Sequence, residues 1–146
     1  MYRFKIYYPG KTKAKFIKEG VSHYIKLLIP FAKVEMIELK EGYGEKDRVI
    51  EEESRAILNS VKGDFILLHK DGKSLNSIEF ADFIKDKSIH QFVIGGVYGV
   101  SEELYNSASF RLSISPLTFT HEISRLILLE QLYRAMTIIH GKNYHY

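Results

Sequence analysis

Phe92-Val93-Ile94-Gly95-Gly96-Val97-Tyr98-Gly99 is the stretch on which the reading of this chain turns. Its apolar start fits a strand buried on both faces. Its glycines permit positive φ and let the backbone approach a neighbour or a ligand with no Cβ in between. The run lacks Gly-x-Gly-x-x-Gly spacing and the lysine of a phosphate-binding loop, which excludes both nucleotide motifs. Read alone, it is a tight turn at least as readily as a ligand loop. Downstream stands a second unusual loop, Ser113-Ile114-Ser115-Pro116-Leu117-Thr118-Phe119-Thr120-His121. Leu117 and Phe119 sit there among small polar residues. They either plug the core or wall a flat ligand whose edge is read by backbone N–H and C=O groups.

Upstream, short apolar runs alternate with helix-period segments. Strands are expected at Arg3 to Tyr8, Lys33 to Leu39, Phe65 to Leu68, Gln91 to Ile94 and Phe110 to Ile114. Turns or loops are expected at Pro9-Gly10, Gly42-Tyr43-Gly44 and Asp71-Gly72. The intervening helices run from Lys11 to Leu28, Asp47 to Ser60, Ser77 to Lys85 and Ser101 to Ser107. Gly20 weakens the first of these, and Asn76 with Glu79 forms a capping box for the third. A last helix, Glu122 to His140, stops at Gly141. The alternation predicts one α/β domain over residues 1–146. Its sheet is mainly parallel, of five to six strands, with helices on both faces. Ligands of such sheets bind beyond the carboxyl ends of strands, here after Leu68, Ile94 and Ile114.

The last helix is apolar around most of its circumference, through Ile123, Leu126 to Leu129, Leu132, Tyr133, Ala135, Met136, Ile138 and Ile139. One sheet face cannot cover such a helix, so part of it is expected to meet a second chain. Glu130 and Arg134 are spaced to pair. His121 and Arg125 share one face at the helix start, beside the loop.

The 146 residues, 45% hydrophobic and 27% charged, suit one soluble domain. No apolar run approaches the roughly eighteen residues of a membrane helix, and the N-terminus lacks a signal-peptide core. A cytoplasmic protein with no membrane association is expected. With no cysteine, thiolate catalysis and cysteine-bound metals are excluded. The scattered histidines have no metal-ligand spacing, so no metal is expected. The net charge of +3 is uneven. Bases dominate residues 1–33, where Glu19 is the one acid, and this end either lies along phosphates or is a solvated face.

The segments Phe92 to Gly96, Ser113 to His121, Leu129-Glu130-Gln131-Leu132-Tyr133-Arg134-Ala135 and Tyr144-His145 together resemble the ribosomal RNA large-subunit methyltransferase H family, a minimal branch of the SPOUT methyltransferases. The resemblance spans the chain. It implies a C-terminal deep trefoil knot, a homodimer, and S-adenosylmethionine as methyl donor. It also implies methylation of N3 of a pseudouridine in large-subunit ribosomal RNA on assembled ribosomes.

By position, the cofactor-binding residues are Leu68, Gly95, Gly96, Gly99, Ile114, Ser115, Pro116, Leu117, Thr118 and Phe119. The catalytic candidates are His145, Tyr144, Arg125 and Arg134. His145 or a water it holds would help remove the N3 proton, an arginine would stabilise the resulting anion, and Tyr144 would stack on the base. The chain departs from the family pattern at His69 (usually an acid), Val97-Tyr98, Thr120 (usually proline) and Tyr146 (usually basic). Thr120 is expected to loosen its loop. The alternative is a ribosome- or RNA-binding protein of the same fold that does no chemistry. A receiver-type regulatory module fails for want of an acidic cluster after the first strand.

Overall fold

The computed structural model describes every residue from Met1 to Tyr146. Five strands form one all-parallel sheet in the order β2-β1-β4-β3-β5. They are β1 (Tyr2–Pro9), β2 (Ala32–Leu39), β3 (Ile66–Ser74), β4 (Ile89–Ile94) and β5 (Phe110–Ser113). Alternation along the strands separates two cores. Phe4, Ile6, Ile66, Phe92 and Ile94 face the larger one, with α1 (Lys15–Leu28), α3 (Ser77–Lys85) and α5 (His121–Ile139) over them. Tyr7, Leu67 and Val93 face the smaller, under α2 (Lys46–Ser60) and α4 (Glu102–Ser107). The expected sheet with helices on both faces is present, with five strands, all of them parallel.

Three boundaries differ from the sequence reading for local physical reasons. The first helix starts at Lys15, not Lys11. The N–H groups of Lys13 and Ala14 donate to Glu122 Oε1, each at 3.0 Å, so the segment before the helix is tied to the start of α5. The strand expected to end near Leu68 continues to Ser74. Leu68 and Lys73 both pair with Leu112, so residues 69 to 72 bulge out of the ladder and the chain returns. Gly72 is required there, because a Cβ would stand 2.6 Å from the backbone of Arg111. At the third boundary, the last helix begins at His121 because Thr120 caps it. Thr120 Oγ1 accepts from Ile123 N at 3.2 Å.

The capping box at Asn76 and Glu79 has both halves in place. Gly20, expected to weaken α1, lies where a Cβ would come 2.7 Å from Leu126 Cδ1, so its absent side chain lets α1 and α5 approach. On α5, Leu128, Leu129, Leu132, Ala135 and Met136 are buried, while Ile123, Leu126, Ile127 and Tyr133 stay half-exposed. No helix is long and apolar enough to cross a membrane.

Candidate active site: a cavity at three strand ends and a tail cluster

The carboxyl ends of β4, β3 and β5 are neighbours in the sheet. The loops that follow β4 and β5, with the bulged part of β3, wall a cavity of about 630 Å³, within the usual range for a small-molecule site. Leu68, His69 and Lys70 contribute the first wall, and the run from Ile94 to Val100 the second. The third is built by Ile114, Ser115 and residues 117 to 121, with Ser124 behind them. Every expected cofactor residue lines this cavity except Pro116.

Local structure explains each wall. Gly96 O accepts from Gly99 N at 3.1 Å, closing a tight turn in which Gly99 has φ +87. Val97 and Tyr98 form its tip, largely exposed. A Cβ on Gly95 would sit 2.8 Å from Val100 Cγ1. In the third wall, Leu117 is 71% exposed and does not plug the core, whereas Phe119 is half-buried. Ser115 Oγ accepts from Leu117 N, and Ser113 Oγ donates to Ser115 O, both at 3.0 Å. Thr120 was expected to loosen this loop. It has φ −63, which a proline would also adopt, and its hydroxyl caps α5, so the loop is tied rather than loosened. His69 accepts from Asp71 N at 3.1 Å and packs edge-on to Tyr105 at 4.8 Å.

No Asp or Glu lines the cavity; its polar groups are backbone, hydroxyls, His69, Lys70 and His121. Burial pushes the His121 imidazole below its ordinary value, and the Arg125 charge lowers it further, so it stands neutral. No cluster of His, Asp or Glu suited to a metal is present.

The four catalytic candidates do not line the cavity. Arg125 is fully buried. It donates to Pro9 O at 2.9 Å and Thr12 Oγ1 at 3.0 Å, and its guanidinium lies 4.2 Å from the Tyr8 ring centre. It therefore ties the end of β1 to α5.

The other three form a cluster on the far half of α5. Arg134 is ten positions beyond Ser124, about 15 Å along the helix. Arg134 Nη2 donates to Glu130 Oε2 at 2.7 Å, and Tyr144 OH donates to the same oxygen at 2.7 Å. Arg134 Nη1 lies 3.2 Å from His145 Nδ1. The Tyr144 ring stands edge-on to Tyr133 at 4.7 Å, with the Arg134 guanidinium 4.7 Å from its centre. Burial and the bond to Glu130 push the Tyr144 hydroxyl well above its usual range, and Glu130 holds Arg134 protonated. Glu130 organises this cluster. The sequence offered its pairing with Arg134 as an i, i+4 pair; the bond to Tyr144, fourteen residues on, had no sequence signal.

A family model described as predicted SPOUT methyltransferase matches residues 2–145, and the chain belongs to that family. The match extends to particular relatives. The chain is 81% identical, over the whole of both chains, to ribosomal RNA large subunit methyltransferase H of Thermodesulfovibrio yellowstonii. It is 43% identical to the protein of the same name from Dictyoglomus thermophilum, covering 97% of this chain and 98% of that one. It is 41% identical to that from Thermotoga maritima, covering 99% of each. These matches place it in the H branch of the family.

Proposed function

We propose that this protein is an S-adenosylmethionine-dependent methyltransferase of large-subunit ribosomal RNA. In this reading it methylates N3 of a pseudouridine on assembled ribosomes and works as a homodimer with a knotted C-terminal segment. The observation that carries the reading is the cavity, which is walled from three adjacent strands, is rich in glycine and small polar residues, and holds no Asp or Glu. Leu68, Gly95 to Gly99, and Ile114 to Phe119 without Pro116 would hold the donor, chiefly by main-chain contacts. The bound cofactor would supply an already activated methyl group. The protein's own task is alignment and exclusion of water.

The distance along α5 between the cavity and the tail supports a two-chain site. Arg134, which holds Tyr144 and His145, stands about 15 Å along α5 from Ser124 at the cavity, and the half-exposed Ile127 between them suits a partner chain. The tail of one protomer would then complete the cavity of the other.

Within the cluster, Arg134 donates to His145 Nδ1, so the neutral ring carries its hydrogen on Nε2. That hydrogen is suited to bond an imide carbonyl oxygen as negative charge builds on it, while the N3 proton passes to water. Tyr144, neutral throughout the physiological range, offers an aromatic face.

Two measurements test the reading. Calorimetry with S-adenosylhomocysteine should give one site per chain. Labelled methyl transfer should occur with ribosomes and not with free nucleosides, with mass spectrometry of ribosomal RNA from cells with and without the protein locating the modified base. No cofactor binding would remove the proposal. Salt-sensitive RNA binding without methyl transfer would leave the non-catalytic alternative.

A further inference from the structure

Glu53 is a buried carboxyl in a helix whose other acids face solvent. It is 4% exposed on α2, whereas Glu51 and Glu52 pair with Arg55 and Arg48 at the surface. Its Oε2 accepts from Gly42 N at 3.1 Å, in the loop after β2. Its Oε1 has no hydrogen-bond partner and occupies the space that a Cβ on Gly96, just after β4, would need. The same Cβ would lie 3.1 Å from Pro9 Cγ, at the end of β1. Since β2, β1 and β4 are adjacent, this one carboxyl fills the point where three neighbouring strands end. The next residue grips the other end of the glycine loop, where Ser54 Oγ accepts from Ser101 N at 2.8 Å. Gly96 itself lines the cavity.

We propose that Glu53, assisted by Ser54, is a positioning residue that sets the conformation of the loop from Gly95 to Ser101 and so the seat of the methyl donor. The inference rests on the cofactor reading above for its consequence, though not for its geometry. Burial, with Glu41 and Glu52 nearby, pushes the carboxyl above its ordinary value, which favours the neutral form that this space can accept. A glutamine keeps the shape and the acceptor for Gly42 N. An alanine empties the space behind Gly96 and strands that N–H.

The test uses the full chain in its native assembly, with S-adenosylhomocysteine as the probe and amide hydrogen exchange over residues 95 to 101 as a second readout. Glu53→Ala is expected to weaken binding about tenfold and to speed exchange in the loop. Glu53→Gln is expected to match the unmodified protein in both. Loop exchange and affinity unchanged in Glu53→Ala would overturn the proposal, as would a Glu53→Gln variant as impaired as the alanine. Should Glu53→Ala fail to fold, Ser54→Ala decides the matter, with faster exchange at Ser101 expected and unaltered exchange overturning it. Failure of the unmodified protein to bind the probe would refute the cofactor reading, while the exchange result would still judge the positioning role.

Discussion

Arg134 donates from Nη1 to Nδ1 of His145 at 3.2 Å, across eleven positions of the chain. Glu130 fixes the same guanidinium at 2.7 Å. Because an arginine is a donor only, this contact sets the tautomer of a neutral His145 and leaves Nε2–H as the free end of the ring.

The consequence is a split between turnover and affinity. His145→Ala should lower kcat about a hundredfold or more, the size of a lost acid–base or charge-stabilising group, while cofactor affinity stays within about twofold. His145→Gln, whose amide can present an N–H near the Nε2 position, should recover part of the loss. Steady-state transfer to ribosomes alongside calorimetry checks both. Equal losses in turnover and affinity would make His145 a structural residue.

Thr120 should prove to be a cap rather than a weak point. Thr120→Ala removes the acceptor for Ile123 N and should cost about 1 kcal/mol in urea unfolding. Thr120→Asp, which supplies an equivalent oxygen, should cost little. A silent alanine substitution would contradict the capping role.

Gly72 is expected to tolerate no side chain. A Cβ there meets the Arg111 backbone at 2.6 Å, and neither strand can yield without breaking the ladder of β3 and β5. Gly72→Ala should destabilise the fold by about 1–3 kcal/mol, read as a lower urea midpoint at unchanged slope.

The half-buried start of α5 should make the fold sensitive to mild acid. Burial and Arg125 depress the folded-state value of His121 below its ordinary 6.5. The unfolded chain therefore binds the proton first. Stability from this group is complete above 6.5 and is lost as pH falls from there through the depressed folded value. His121→Asn should flatten this part of the stability–pH curve relative to the unmodified protein. Curves that run parallel would remove His121 as the cause.

The two loops at the cavity were legible as loops because glycine runs and apolar residues among small polar ones are local signals. Gly95 and Gly96, after an apolar strand, marked a place where backbone must come close to something, and the structure shows Val100 and Glu53 filling the spaces that a Cβ would need. What that closeness serves was open in the sequence, since a packing glycine and a ligand-loop glycine look alike there. Arg125 shows a related ambiguity. Spacing puts it on the face of His121, but spacing does not say whether that face meets a ligand or the end of β1, and Pro9 O took the guanidinium. The bulge from residue 69 to 72 was read as a turn because a turn and an excursion that rejoins its own strand share the same Asp-Gly chemistry.

The sequence by itself determined the elements, their alternation and the parallel α/β class, because each of these follows from short-range periodicity and capping. It also determined the family, through residues whose order is preserved along the chain. Only the tertiary structure decided the order β2-β1-β4-β3-β5, which brings three loops distant in sequence to one cavity. Only the tertiary structure buried Glu53 behind Gly96, folded Tyr144 onto Glu130 and brought His145 against Arg134. These are contacts between residues far apart in the chain. They depend on how whole elements pack, and a local pattern of residues carries no record of that packing.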